Sequence, residues 1–551
     1  MYECPSCGAG LVFNPATQKL KCYYCNQEFD TKEIEKTRLK SAKGEKDIKI
    51  EMSNNSESIE TQEENTQQPQ ENVYEAIIYR CTQCGAELIT TDETISTFCS
   101  YCGSSAVLEK RDTKKKRPDY IIPFTKTKEE CEIAYKKKLS NALFAPKNMA
   151  EEQQIEKIRG IYMPYWIYSF KKDGPDVARG QKYKCRRGDY VYYRDFSIKT
   201  NVKAGFSGIT HDASANFSDS LSEAIAPFSV KEKKEFSPTY LSGFYADAED
   251  VKESVYMEDS NKIANNQASK ELMKDRTYSK YSAKANVSMQ TESVELGLFP
   301  VYFLATKNET GDRISYAVVN GQTGKVAAEI PIDFKKYIII SLLLAIPIFL
   351  LLNAWVTLTP VKVLITSIIF SIISMIIISN QYSQIENREK RLEDKGYTSK
   401  ENIKVKQEKK SIDGLKMLGV FFAIPIILSV FIPLYVLARE ATAPMLFFVG
   451  IVGITAFLAN RLFNRKNKQK TKDKDKTKGK RLIKLIKPII ALLISVIIII
   501  VNPVSDLYYY AGTAISIIMV IWSFADIVKG LNMLTTRKLP QLEKRGGDEN
   551  E

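Results

Sequence analysis

The chain has 551 residues, too many for one ordinary globular core, and carries 79 Lys+Arg against 65 Asp+Glu for a formal net charge of +14. Its averages, 44% hydrophobic and 26% charged, hide two unlike halves: residues 1–335 hold 48 basic and 49 acidic side chains, and residues 336–551 hold 31 and 16. The basic excess lies wholly in the C-terminal part, which argues against a polyanion-binding N-terminal part and points to an anionic membrane surface.

The opening MYECPSCGAG shows no basic start followed by an apolar run, so no secretory signal is expected and the N-terminus is placed in the cytosol. Eight of the ten cysteines form a duplicated pattern. Cys4-Pro5-Ser6-Cys7-Gly8 is followed by Cys22-Tyr23-Tyr24-Cys25, and Cys81-Thr82-Gln83-Cys84-Gly85 by Cys99-Ser100-Tyr101-Cys102. A shift of 77 residues maps the first set onto the second and carries Leu11 to Leu88, Thr17 to Thr94 and Tyr24 to Tyr101. Paired CxxC knuckles at this separation suit tetrahedral zinc, with Cys4, Cys7, Cys22 and Cys25 holding one ion and Cys81, Cys84, Cys99 and Cys102 a second. Four thiolates close a site, so both are expected to be structural. A unit of this size cannot bury enough apolar surface to fold alone, so the metal would supply the folding energy. A dithiol redox pair or a disulfide framework is the rival reading, disfavoured by the missing βαβ context and by a cytosolic location.

The sequence divides into zinc ribbon 1 (1–30), a disordered linker (31–76, including MSNNSESIETQEENTQQPQEN), zinc ribbon 2 (77–110), an α+β cytosolic domain (118–333), a six-span transmembrane domain (336–530) and a cytosolic tail (531–551). The ribbons carry few cations: Lys19 and Lys21 face Glu3, Glu28 and Asp30, and Arg80 and Lys110 face Glu87, Asp92, Glu93 and Glu109. Nucleic-acid binding needs basic groups against phosphates, so the ribbons are expected to face protein or to be purely structural.

In the α+β domain, helices are predicted over Lys126–Asn141, Ala150–Arg159 and Ser218–Ile225. Strands are predicted over Tyr120–Phe124, Gly160–Phe170, Lys182–Phe196, Tyr240–Tyr245, Leu298–Ala305 and Ile314–Asn320. Tyr162-Met163-Pro164-Tyr165-Trp166 and Leu298-Phe299-Pro300-Val301-Tyr302 share a layout, and their prolines suggest an edge strand or the entry to a strand. His211, the one histidine, reads as a loop residue, and Cys131 and Cys185 as inert thiols. Gly321-Gln322-Thr323-Gly324-Lys325 fails the phosphate-loop template, and Asn320-Gly321 between two apolar runs reads as a hairpin turn, as Arg187-Gly188-Asp189 reads as a turn. No nucleophile–base pair is present in the pattern, so no catalytic residue is assigned.

Six spans are predicted: Tyr337–Trp355, Val363–Ile378, Met417–Ala438, Ala441–Asn460, Pro488–Val504 and Leu507–Ala525. The loop Gln381–Lys416 carries ten basic residues and Arg461–Lys487 thirteen, which puts both loops and both termini in the cytosol. The loop 461–487 is expected to meet anionic lipid.

The paired CxxCG knuckles, Ile121-Ile122-Pro123-Phe124, Tyr162–Trp166 and Asn320–Val326 resemble bacterial TFIIB-type zinc-ribbon membrane proteins of Gram-positive organisms, over residues 1–335. Members are sometimes labelled primosomal helicases, although no helicase motif is present here. Some relatives are encoded beside phage-shock-protein-A-like and SPFH-domain proteins, so the resemblance implies those partners and an adaptor role in envelope stress. The expected protein is multidomain: two small Cys4 zinc ribbons, an α+β soluble domain and an all-α polytopic domain in the plasma membrane. The expected function is a non-enzymatic scaffold recruiting cytosolic proteins; a zinc-regulated transporter or lipid-handling protein and a nucleic-acid-binding ribbon protein are the alternatives.

Overall fold

A computed structural model describes residues 2–36, 73–90, 99–103, 108–274, 286–308, 311–355, 359–400 and 473–538. The chain divides into two compact units, Met1–Leu358 with Asn380–Ile403 and Ala525–Glu551, and Thr359–Ser379 with Lys404–Phe524.

The first unit begins with strands β1 (Leu11–Asn14), β2 (Lys19–Cys22) and β3 (Glu28–Phe29), an antiparallel sheet in that order. Residues 31–36 are helical and the next strand starts at Val73, so the predicted linker is bounded differently; its residues 37–72 lie outside the described set. Ribbon 2 likewise extends beyond 77–110: β4 (Val73–Cys81) pairs with β5 (Glu87–Thr90) on one side and β6 (Leu108–Lys116) on the other.

After β7 (Tyr120–Ile121), helix α1 (Lys128–Ser140) opens on a capping box. The Thr127 hydroxyl accepts from the Glu130 N–H while the Glu130 carboxylate accepts from the Thr127 N–H, which sets the start two residues later than predicted. The predicted helix Ala150–Arg159 is a 3-10 turn, Lys147–Ala150, and a four-residue helix α2 (Glu152–Ile155) before β8 (Arg159–Arg187). The predicted strand Lys182–Phe196 reverses at Gly188, φ +60°, into β9 (Tyr190–Asp212). His211 therefore lies on a strand, opposite Trp166, with its ring stacked on Tyr256 at 4.8 Å.

Helix α3 (Asp219–Ile225) and β10 (Lys234–Glu235) follow. Tyr240–Tyr245 is not a strand: Pro238 starts a 3-10 turn, Pro238–Leu241, capped by Ser237, and β11 is limited to Tyr245–Ala246. Helix α4 (Ser254–Met273), strands β12 (Gln290–Lys307), β13 (Arg313–Asn320) and β14 (Val326–Ala328), and β15 (Arg537–Lys538) complete the set. Asn320 accepts the Gln322 and Thr323 N–H groups at 2.9 Å each, making the Gly321–Lys325 segment the turn between β13 and β14.

Among the described residues twelve strands form one sheet, in the order β10-β7-β12-β8-β11-β5-β4-β6, with β9 on β8 and β13, beside β12, carrying β14 and β15. β8 and β12 are the centre. From Leu296 to Thr306 every residue of β12 is buried, as a strand covered on both faces must be. Pro164 and Pro300 are not at edges. Pro164 pairs with Leu298 and Pro300 with Tyr162, so the two similar pentapeptides lie antiparallel about Met163 and Phe299.

Alternation along β12 assigns its side chains to two cores. Leu298, Tyr302 and Leu304 join Cys131, Tyr135 and Leu139 of α1 and, from ribbon 1, Tyr2, Cys4, Leu11 and Cys22. Phe299, Val301 and Phe303 join Cys81, Cys84, Cys99 and Cys102 of ribbon 2 and Phe217 and Leu221 beside α3. The cysteines of the two ribbons therefore pack against opposite faces of β12, and ribbon 2 also lends Ile78 and Ile89 to the first core. Phe13 N–H donates to the Ser242 carbonyl at 3.0 Å, and the Ser242 hydroxyl donates to the Leu11 carbonyl at 2.6 Å. Residues assigned to loop and tail also join this unit: α7 (Lys395–Lys400) follows Asp394, and β15 pairs with β13 at Arg313–Lys538 and Ile314–Arg537.

Helices α5 (Phe334–Trp355), α6 (Pro360–Glu389), α8 (Asp473–Val501) and α9 (Asp506–Leu534) contain four of the predicted spans or most of their length. Three helical stretches among the described residues are long and apolar enough to cross a membrane: Pro360–Glu389, Lys484–Val501 and Asp506–Leu534. Met417–Ala438 and Ala441–Asn460 lie outside the described residues. The predicted basic loop 461–487 is in part helical, since α8 begins at Asp473 and runs without a break into the apolar stretch. In the second unit α8 and α9 approach closely: a Cβ on Gly512 would lie 1.8 Å from Ile498, and the Ser495 and Ser516 hydroxyls are 3.0 Å apart. Small residues at such a crossing are what membrane helix pairs use.

Candidate metal centres

Each ribbon builds its site from two backbone knuckles. Gly8 N–H donates to the Cys4 carbonyl at 2.9 Å and Cys4 N–H to the Ala9 carbonyl at 2.7 Å; Gly85 to Cys81 and Cys81 to Ala86 repeat this at 2.8 Å. The turn needs a positive φ after its second cysteine, and Gly8 (+74°), Gly85 (+77°) and Gly103 (+61°) supply it. In the remaining knuckle Asn26 does so at +57°, a conformation that asparagine tolerates better than other side chains.

The knuckles bring the eight predicted ligands into two groups, Cys4, Cys7, Cys22, Cys25 and Cys81, Cys84, Cys99, Cys102, with all sulfurs in each group within 4.8 Å of one another. The cross-knuckle pairs lie at 3.6 Å (Cys4–Cys25), 3.5 Å (Cys7–Cys22), 3.9 Å (Cys81–Cys102) and 3.7 Å (Cys84–Cys99). A disulfide would need about 2.05 Å. A tetrahedron of sulfurs about 2.3 Å from a central ion has edges of about 3.8 Å, so both groups fit a metal ion. The thiols of each group hold their protons unevenly: the Cys25 and Tyr24 N–H groups hold the Cys22 thiol down at about 6 while Cys7 is pushed up to about 12, and the Cys102 thiol, foremost, holds Cys81 low and Cys84 and Cys99 high.

The surroundings differ. Cys7 is exposed and Cys25 half-buried, whereas all four cysteines of the second group are buried. Tyr24 of ribbon 1 is 83% exposed, while Tyr101, its counterpart 77 residues on, is 1% exposed. Tyr101 donates to Asp247 at 2.7 Å and its carbonyl accepts from the Tyr316 hydroxyl at 2.8 Å. The repeat arithmetic singled out Tyr101; Asp247 carried no signal in its local sequence. Cys131 and Cys185 belong to neither group. Burial pushes the Cys131 thiol up to about 12, which leaves it unreactive.

No family model matches this chain. No solved structure matches it either. The chain is similar to the "Uncharacterized protein YdjG" of Bacillus subtilis (strain 168), 27% identical over 320 residues that make up 47% of this chain and 92% of that relative.

Proposed function

We propose that the chain is a non-enzymatic scaffold, held in the plasma membrane by six spans with both termini in the cytosol, that carries two structural zinc ions and recruits cytosolic proteins to the inner face. One observation carries the recruiting role. Beyond Lys171, β8 pairs among the described residues with β9 alone. The ribbon then runs sixteen residues to Arg187, about 50 Å at 3.3 Å per residue. Its base is covered: Val202, Ala204, Ile198 and Ala178 pack near α4. Its outer part is bare, with Tyr183, Tyr190, Tyr192 and Tyr193 between 48% and 74% exposed. A two-stranded ribbon gains little stability from itself, and exposed tyrosines among arginines are what protein interfaces enrich.

Lys182, Lys184, Arg186, Arg187 and Arg194 outnumber Asp189 and Asp195 there, so the occupant is a cytosolic protein with an acidic surface. The phage-shock-protein-A-like and SPFH-domain proteins implied by the resemblance are the partners to try first. The Lys/Arg bias supports the proposed orientation, and each cation of 461–487 near an anionic leaflet adds about 1 kcal/mol of attraction.

The test replaces Tyr183, Tyr190, Tyr192 and Tyr193 by serine in the full chain. Unchanged melting with loss of a cross-linked acidic partner from intact membranes is expected. Equal cross-linking by the variant, or no acidic partner for either form, would reject the reading.

A further inference from the structure

We infer that the chain binds a phosphate-bearing anion in a 510 Å³ cavity assembled from the C-terminal end of α6, the residues after α9 and the edge of β13. That volume is typical of a small-molecule site. Arg388, Arg391 and Arg537 line it together with Lys390 and Lys538, against Glu389 and Asp312 among the described residues.

The carboxylates nearby are already shared. Glu329, 8% exposed, accepts through Oε1 from both Arg388 and Arg537, the latter at 2.8 Å. Glu389 meets Arg313 at 3.0 Å and Lys538 at 3.2 Å, and Asp394 meets Arg391 at 2.8 Å. One carboxylate thus serves two guanidinium groups. The Nε atoms of Arg388 and Arg537 are buried with no hydrogen-bond partner among the described residues. Partly buried cations in this arrangement are under-compensated, and an added anion relieves both the repulsion and the lost hydration. Guanidinium groups present a planar fork that matches phosphate oxygens. Lys390 and Lys538, whose side chains are 45% and 69% exposed, mark the accessible rim. Lys390 meets Glu386 at 2.8 Å, so the uncompensated charge is the one left where Arg388 and Arg537 share Glu329, and their guanidinium forks favour phosphate over a single carboxylate.

Two sources could supply the phosphate, and this step rests on reading α6 as a span. Its apolar run ends at Ile378, ten residues before Arg388, about 15 Å along a helix. The headgroup layer is about 5–8 Å deep on each side. A soluble phosphorylated ligand therefore reaches the cavity without strain, while a lipid phosphate has to leave its layer. Tyr101 lines the same cavity. Its carbonyl accepts from Tyr316, whose N–H faces Glu329 Oε2 at 3.5 Å, so the cavity wall is continuous with the second metal knuckle.

The experiment uses the full chain in phosphatidylcholine nanodiscs, with inorganic pyrophosphate as the soluble probe and discs of about one-third phosphatidylglycerol as the lipid arm. Saturable pyrophosphate binding at one per chain, weakened by salt, is expected. Arg537→Gln should weaken it about tenfold or more. Because that change also leaves Glu329 with Arg388 as its one guanidinium partner, Lys390→Gln with Lys538→Gln at the exposed rim serves as the second variant, with unchanged melting and about threefold weaker binding. If native mass spectrometry instead retains phosphatidylglycerol, and the same variants lose it, the site holds a lipid phosphate. Failure of both probes to bind, or binding that neither variant weakens, overturns the proposal. Partner capture by the β8–β9 ribbon is a separate readout, so either idea can fail alone.

Discussion

Tyr101 donates its hydroxyl to Asp247 at 2.7 Å, a buried bond that fastens the last knuckle of the second metal centre to the segment following β11. The Ser214 hydroxyl donates to the same oxygen at 2.5 Å. Removing the phenolic donor leaves a buried acceptor partly unmet, so Tyr101→Phe should cost about 1–3 kcal/mol. The equivalent Tyr24→Phe, on a side chain that is 83% exposed, should stay within about 0.5 kcal/mol of the parent. Thermal melting of both variants in detergent decides it, and equal losses would show that the bond carries no stability.

The same carboxyl sets a pH dependence. Burial first, then the neighbouring charge of Asp250, raises Asp247 from its ordinary 3.8 to about 6. The folded state then holds this proton more tightly than the unfolded chain does. Its favourable contribution is complete below pH 3.8, declines as pH rises toward 6, and is lost above it, a change of about 3 kcal/mol at 1.36 kcal/mol per unit. Asp247→Asn removes the titration. The stability of the parent relative to this variant should therefore fall across that window and level off above it. A pH-independent difference in the melts would show that Asp247 does not titrate there.

Ribbon 1 is held on its face of the sheet by a close backbone approach. Gly243 has φ +84°, and a Cβ there would lie 2.3 Å from Cγ1 of Val12 on β1. Gly243→Ala adds a left-handed strain of about 1 kcal/mol and an overlap worth about 1–3 kcal/mol. The expected outcome is a ribbon loosened from the sheet: faster limited proteolysis around residues 1–36, with both metals retained. Unchanged digestion would mean that the ribbon is not seated on Ser242 and Gly243.

What could be read in advance was what lies close in sequence. The cysteine spacings and the shift of 77 residues pointed to both sulfur clusters, because a knuckle is a local turn. Helix α4 escaped because its buried face is Tyr256, Ser260, Ala264 and Ala268, mostly small residues that make no apolar stripe. Strand β15 is Arg537 and Lys538, a pair without strand character that the β13 edge recruits. Glu329 meets Arg388 across 59 residues and Arg537 across 208, a pairing that only the fold creates. The placement of the two ribbons on opposite faces of β12 has the same origin.

That placement separates the two metals in behaviour. The first centre has Cys7 exposed and Cys25 half-buried, so a chelator can reach it. In the second, Cys81, Cys84, Cys99 and Cys102 are at most 3% exposed and share a core with Phe299, Val301 and Phe303. The full chain loaded with zinc should lose one equivalent to a chelator quickly and the other at the rate of unfolding. Cys7→Ser should lower the metal content by one and leave the sheet folded. Cys84→Ser should lower it by one as well, but it strips a core contact on the sheet and lowers melting by several kcal/mol, on the order of 3. Elemental analysis alongside near-ultraviolet circular dichroism checks both variants. Release of the two ions at one common rate, or a Cys7→Ser protein as disordered as Cys84→Ser, would mean that burial does not distinguish the centres.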